Sequence, residues 1–95
     1  MSYEEQAAAY ADRAARARID MCCRQQALTF AADGRPAIKR LADSIIAGMV
    51  IDLDAMAAAV CAGPNWATLQ EDAALLAAVQ GAWPTVATAR YPDAG

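Results

Sequence analysis

Neither proline nor glycine appears before Gly34, and this uninterrupted stretch constrains the fold more than any other feature of the sequence. Ser2 and Glu5 have the spacing of a capping box, in which each side chain accepts a hydrogen bond from the backbone N–H of the other residue. Gly34 stands where a helix commonly ends in a left-handed residue. The sequence therefore predicts one continuous helix over residues 3–32.

An apolar seam follows this predicted helix at alternating steps of four and three residues, the spacing of a two-stranded coiled coil. Its members are Tyr3, Ala7, Tyr10, Ala14, Ala17, Met21 and Leu28. Arg24 occupies the one place in the series that is not apolar. A second apolar stripe is confined to the C-terminal half and consists of Ile19, Cys23, Ala27 and Phe30. We therefore expect the first half of the helix to bury one side and the second half to bury two sides.

A helix of this length is too long for the rest of the chain to cover. Thirty residues at about 1.5 Å each span roughly 45 Å, whereas a compact domain of this size has a radius of gyration of about 12–13 Å. We therefore expect residues 3–17 to project from the domain and to pack against another molecule.

Three shorter helices are predicted after the first, over residues 36–49, 53–62 and 69–82. Pro36 suits the first position of the second helix, because its fixed φ is a helical one. The face of that helix expected to be buried consists of Ile38, Leu41, Ala42, Ile45, Ile46 and Met49. Asp52 is a suitable N-cap for the third helix, and Thr68 and Glu71 form a second capping box before the fourth.

The C-terminal residues complete the predicted architecture. Pro84 is expected to end the fourth helix, so that residues 84–95 form an irregular C-terminal arm. The chain is predicted to be a single all-α domain over residues 1–95. In this domain the long N-terminal helix packs on three shorter helices in a four-helix, bundle-like arrangement.

The composition favours association with a second molecule. Alanine is more frequent than all the large apolar residues (Val, Ile, Leu, Met, Phe, Trp and Tyr) taken together. Burying a Val, Leu, Ile, Phe or Met stabilises the fold by about 1.5–3 kcal/mol. Ordering the backbone costs about 1–2 kcal/mol per residue, so a core with so few large side chains gives little net stability. Contacts with another subunit would supplement such a core.

Charge is distributed unevenly along the chain. Residues 1–40 contain seven basic and five acidic side chains, whereas residues 41–95 contain one basic and six acidic side chains. This asymmetry is typical of an ordinary electropolar surface, and it also fits a head-to-tail or staggered contact between copies.

The sequence lacks the residue patterns of an enzyme or a metal site. It has no histidine, the usual general base and the commonest transition-metal ligand. Cys22 and Cys23 diverge by about 100° on a helix and Cys61 has no regular spacing from them, so all three are interpreted as structural core cysteines. Asp52 and Asp54 are interpreted as acids that favour a helix N-terminus. With no phosphate-binding loop either, we expect no catalytic residue, metal, cofactor or small-molecule substrate.

Nucleic acid is not favoured as a partner. Residues 37–60 have the outline of a helix-turn-helix unit, but the second helix has Asp52 and Asp54 near its start and no basic or amide side chain as far as Cys61. Such a helix repels phosphates and has no group that reads a base edge.

The N-terminal residues argue against export. They are acidic and polar, where a signal peptide needs a basic region followed by an apolar run. The longest apolar runs, residues 45–51 and 73–79, are far shorter than the roughly 20 residues of a membrane-spanning helix. We expect a cytoplasmic protein without a membrane partner, or one in the virion or host cytoplasm if a phage encodes it.

These features together favour a non-enzymatic assembly or adaptor protein that self-associates through its first helix, as a phage or bacterial accessory structural subunit would. The alternative is a small acidic inhibitor or regulator that binds a single protein target, with its acidic half imitating nucleic acid. In both cases the partner is a protein, either a second copy in a homo-oligomer or one foreign target. The expected partner-binding residues are Tyr3, Ala7, Tyr10, Ala14, Ala17 and Tyr91.

Overall fold

The computed structural model describes the backbone of residues 3–63 and 66–92 and the side chains of residues 13–63 and 68–92. Within these residues the chain is helical, and its helices pack on one another as a bundle. They are α1 (Tyr3–Phe30), α2 (Pro36–Ile46), α3 (Val50–Ala62), α4 (Trp66–Leu69) and α5 (Asp72–Arg90). The predicted fold class, a long N-terminal helix packed on shorter helices, is confirmed.

The first helix, α1, is continuous over 28 residues and ends two residues before its predicted end. Its packing stripe, defined as Ile19, Cys23 and Ala27, is fully buried in the core that α1 forms with α2, α3 and α5. Twenty-eight helical residues span about 42 Å, which accounts for the elongated dimensions of 52 × 24 × 19 Å. Arg16 binds Asp54 on α3, so the C-terminal end of the part expected to project, residues 3–17, lies against α3.

The turn between α2 and α3 departs from the prediction. Gly48 has a φ of +85°, a conformation that glycine adopts without strain, and α2 ends just before it at Ile46. The expected buried face therefore stops at Ile45, and Ile46 and Met49 are exposed because the chain leaves the core there.

Within the described residues no helix alone is long and apolar enough to cross a membrane, while α2 and α3 reach that length and apolarity as a pair bent by 115°.

The start of α3 also differs from the predicted one. Met49 is the N-cap and Val50 the first residue of the helix, so Asp52 lies in the first turn and not at the cap. Its side chain is fully buried. An acid in the first turn of a helix and an N-cap acid look alike in a sequence, because both favour the positive end of the helix dipole.

The helix expected over residues 69–82 is replaced by the short α4 and the longer α5. The second capping box does not open a helix, because Thr68 lies inside α4 and Glu71 caps α5 without a side-chain hydrogen bond. The next helix, α5, then continues through Pro84 to Arg90, which corrects the irregular arm expected from residue 84.

Burial explains why α5 passes a proline. A proline inside a helix removes one backbone hydrogen bond and costs about 3 kcal/mol. The neighbouring Trp83 and Val86 are buried, Trp83 completely. Full burial of a large apolar side chain stabilises a fold by about 1.5–3 kcal/mol, which is enough to offset the proline. The Trp83 ring stacks on Phe30 with centroids 4.8 Å apart, and its indole N–H donates to the carbonyl of Ile38 at 3.2 Å. Trp83 therefore joins α5 to both α1 and α2.

Candidate interaction surface

The predicted seam on α1 is exposed wherever its side chains are described. We define the outer face of α1 as Ala14, Ala17, Met21, Arg24 and Leu28, all of which are exposed. Met21 is 63% exposed and Leu28 is 68% exposed. The expectation that the second half of α1 buries two sides is not met within the single chain, because the packing stripe is buried while Met21 and Leu28 of the seam are exposed.

The geometry of a helix separates the two sides of α1. At about 100° per residue, the outer face and the packing stripe point roughly 140° apart. The other helices therefore lie on the side of α1 that is nearly opposite the outer face. A shallow groove of about 560 Å³ runs along the outer face, lined by Ala17, Asp20, Met21, Arg24, Gln25 and Leu28.

The remaining seam residues lie outside the part of α1 with described side chains. Tyr3, Ala7 and Tyr10 belong to the same continuous helix as the outer face. Their positions continue the line of Ala14 and Ala17 along it, since the spacing of four and three residues is unbroken.

Tyr91, the other expected partner-binding residue, has an internal contact. Its side chain is half-buried, and its hydroxyl donates a hydrogen bond of 2.5 Å to Asp52. The structure places it directly after α5 and against α3, and not on the outer face of α1.

Asp52 is the centre of a polar cluster that sequence analysis missed. Its carboxylate is fully buried and accepts hydrogen bonds from Ser44 on α2, from Arg90 at the end of α5 and from Tyr91. Burial raises the pKa of Asp52, but these three hydrogen bonds and the Arg90 charge outweigh it, so the pKa lies below its ordinary value. The cluster connects α2, α3 and the end of α5. Each of these hydrogen bonds to the Asp52 carboxylate comes from a side chain of the same chain.

Ion pairs join the basic first half of the chain to its acidic second half. Arg16 binds Asp54 on α3, and Arg18 binds Asp72 at the start of α5 with a distance of 2.7 Å. Exposed pairs of this kind contribute only about 0–1 kcal/mol each, so they orient α1 more than they stabilise it. Opposite charges from the two halves of the chain therefore pair with each other within the molecule.

A second exposed apolar patch lies at the corner between α2 and α3. We define the α2–α3 corner as Ile46, Met49, Val50 and Ile51, which are between 50% and 64% exposed. Sequence analysis had assigned Ile46 and Met49 to a buried face. The seven-residue apolar run itself could have signalled this patch, since it includes a glycine at which the chain turns.

The three cysteines occupy different environments. Cys23 is buried among apolar groups, which raises its pKa to about 12, and burial also raises the pKa of the half-buried Cys22. Thiols in this state are poor nucleophiles and ligands, because the reactive form is the thiolate. Cys61 is exposed, so the interpretation of all three as core cysteines is wrong for this residue.

Among the residues that the structure describes, no three His, Cys, Asp or Glu side chains meet as a metal site would require.

Comparisons of the chain with protein-family models, with curated proteins and with solved structures gave no match.

Proposed function

We propose that the protein is a non-enzymatic helical assembly protein that self-associates through the outer face of α1. The observation that carries the proposal is the exposure of Met21 and Leu28, at coiled-coil spacing, on a helix whose other side is packed in the core. An amphipathic helix needs one apolar side to join its own domain. A second apolar side is typical of a helix that also contacts another molecule.

Comparing the free energy of side-chain burial with the cost of association indicates how much of the seam a contact between two copies needs. Full burial of a Met or Leu is worth about 1.5–3 kcal/mol. Two copies of Met21 and Leu28, each about two-thirds exposed, therefore offer roughly 4–8 kcal/mol. Association costs about 4–15 kcal/mol in lost freedom, so these residues alone give at best a weak dimer. By sequence spacing the seam also contains Tyr3 and Tyr10, which lie outside the residues with described side chains.

The size of the exposed side chains favours a helix as the binding element. Ala14 and Ala17 are small and lie at the centre of the seam, so another helix can approach the α1 backbone closely there. Met21 and Leu28 then fit between side chains of the facing helix in the knobs-into-holes manner. The chain itself provides a helix with the matching spacing, which makes a second copy the simplest partner.

The alternative function, an acidic inhibitor that imitates nucleic acid, has less support. Such a protein needs a row of acids facing outward. Asp54 and Asp72 are instead paired with arginines of α1, and Asp52 is buried.

The test compares the mass of the wild type with that of Ala14→Glu by light scattering. Ala14→Glu places a charge in the seam and should reduce the mass from about twice 10.0 kDa to 10.0 kDa. Ala77→Glu is the matched control, because Ala77 is an exposed alanine within α5, and it should keep the dimer mass. Circular dichroism should show that both variants remain helical.

Two results would contradict the proposal. A wild type that is monomeric at all concentrations would show that the outer face does not join two copies. Unfolding of Ala14→Glu but not of Ala77→Glu would show that the seam is needed inside the monomer.

A further inference from the structure

We infer that Met21 of each copy inserts between α1 and α5 of the other copy, in a pair whose two α1 helices run parallel. This inference rests on the proposed function and adds the place where the exposed Met21 side chain binds. It makes α5 a second element of the contact, beside the outer face of α1.

A second groove lies beside Met21, between α1 and α5, and we call it the α1–α5 groove. Its volume is about 360 Å³, and its apolar walls are Met21, Cys22, Leu75 and Leu76. Leu75 is buried, whereas Cys22 and Leu76 are half-buried, so a side chain from outside can contact these walls. Met21 also lines the groove of the outer face. It therefore forms a ridge between two grooves, and helices pack by fitting such ridges into the grooves of other helices.

Two polar contacts mark the ends of the α1–α5 groove. Arg18 binds Asp72 at 2.7 Å, and Gln80 donates a hydrogen bond to Gln26 at 3.1 Å. Both contacts join residues that are 54 positions apart, so α1 and α5 run side by side in the same direction. The two ends are about 12 Å apart along the helix. A short apolar groove bounded by polar groups fits one or two apolar side chains of a protein better than a long acyl chain.

A parallel pair with a twofold axis along α1 brings Met21 to this groove. In such a pair every residue keeps its height along the axis, and each flank of α1 faces the opposite flank of the other copy. Met21 lies one residue, or about 1.5 Å, from the midpoint between positions 18 and 26. It therefore reaches the middle of the other copy's groove, and the reciprocal contact follows from the symmetry. In an antiparallel pair like flanks face each other, so the groove would face a second groove and not Met21.

The same arrangement leaves Arg24 at the edge of the contact. At about 100° per residue, Arg24 lies roughly 60° from Met21 on one side of α1. Gln25, which lines the α1–α5 groove, lies roughly 40° from Met21 on the other side. A contact centred between Met21 and the groove therefore keeps both Arg24 side chains in water. A parallel pair centred on the seam would instead bring these two charges together.

The α1–α5 groove also supplies apolar contact that the outer face lacks. Two copies of Met21 and Leu28 give at best a weak dimer, because burying them barely offsets the cost of association. A Met21 side chain in the groove also covers Cys22 and Leu76 of the other copy, which are half-buried in the single chain. The pair thus buries additional apolar area at two symmetric places.

Nuclear Overhauser effects between the two copies test this contact directly. Half of the sample carries an isotope label only in its methionine methyl groups, and the other half carries one only in its leucine methyl groups. A cross-peak between labelled methionine and leucine methyl groups then arises only from a contact between copies. We expect a cross-peak between Met21 and Leu76. Leu76→Ile assigns it, because this variant removes the labelled leucine and keeps an apolar side chain.

Leu76→Ala measures the contribution of the groove to affinity. Loss of the leucine side chain should raise the Kd of the dimer at least about tenfold in sedimentation experiments. Ala77→Glu is the control, because Ala77 is an exposed neighbour on α5 that does not line the groove, and it should leave the Kd unchanged. Circular dichroism of both variants should show that they remain helical.

The possible results separate this inference from the proposed function. A dimer with the cross-peak between Met21 and Leu76 supports the inference. A dimer without this cross-peak, or one whose Kd Leu76→Ala leaves unchanged, overturns the inference and leaves self-association standing. A wild type that is monomeric at all concentrations overturns both.

Discussion

Arg90, the last residue of α5, donates a hydrogen bond from Nε to the buried carboxylate of Asp52 on α3 at 2.8 Å. Ser44 and Tyr91 donate to the same carboxylate. Asp52 thereby connects α3 to segments that come before and long after it in the chain, and no other buried acid is present among the described residues.

Asp52→Asn should destabilise the fold. The amide keeps the volume of the carboxylate, but it loses the charge that Arg90 faces and offers one acceptor oxygen in place of two. We expect a loss of about 1–3 kcal/mol in the free energy of unfolding, measured by urea denaturation. Asp43→Asn is the control, since Asp43 is an exposed surface acid on α2, and it should change stability by less than about 0.5 kcal/mol.

The contribution of Asp52 should depend on pH. Its pKa is lowered in the folded state, so its charged form is favoured by folding and its stabilisation is fully present above the unfolded pKa of about 3.9. This stabilisation is lost as the pH falls through the lower, folded-state pKa. The difference in unfolding free energy between wild type and Asp52→Asn should therefore be constant from pH 7 to pH 5 and should shrink below about pH 4. A difference that grew on acidification would contradict the ionised, hydrogen-bonded state described here.

Pro84→Ala should stabilise the protein. Alanine restores the backbone N–H that can bond the carbonyl four residues earlier in α5, and it removes the clash of the proline ring with that carbonyl. We expect a rise in the melting temperature that corresponds to about 1–3 kcal/mol. Pro36→Ala is the matched control at the first position of α2, where proline is favourable, and it should give no gain. Equal effects of the two variants would contradict a continuous α5.

The cysteines should differ in reactivity and in structural importance. Cys61 should react with a thiol reagent in the native state at a rate near that of a free thiol, while Cys23 should react only on unfolding. Cys23→Ser should lower stability by about 1–3 kcal/mol, because it buries a hydroxyl, whereas Cys61→Ser should be nearly neutral. Replacing Cys22, Cys23 and Cys61 together should leave self-association intact in a protein that remains folded.

The sequence predicts those parts of the fold that local signals determine. The continuity of α1 follows from the absence of breakers, a signal that does not depend on the rest of the chain. The expected left-handed residue at the helix end was wrong, because α1 ends at Phe30 and Gly34 does not have a positive φ. The end of the fourth helix at Pro84 was predicted from an equally clear local signal. It failed because burial of Trp83 against Phe30 and Ile38 outweighs the proline, and this is visible only in three dimensions.

The candidate interaction surface likewise has features that the sequence predicts and features that only the structure reveals. The seam on α1 could be recognised from its spacing, but its exposure could not, since a pattern does not state which apolar stripe faces the core. The Asp52 cluster was missed because its partners are distant in sequence and an acid near a helix start has a simpler local explanation. The exposed Ile46 and Met49 were missed because the periodicity of α2 does not show where Gly48 turns the chain.

The central claim is that the outer face of α1, and not the α2–α3 corner, joins two copies. Sedimentation equilibrium of Met21→Arg and Met49→Arg tests it most directly, because both methionines are exposed, Met21 to 63% and Met49 to 51%, and only Met21 lies on the outer face. Wild type and Met49→Arg should have a mass near twice 10.0 kDa, and Met21→Arg should sediment as a 10.0 kDa monomer. A dimeric Met21→Arg beside a monomeric Met49→Arg would contradict the claim and would identify the corner as the interface.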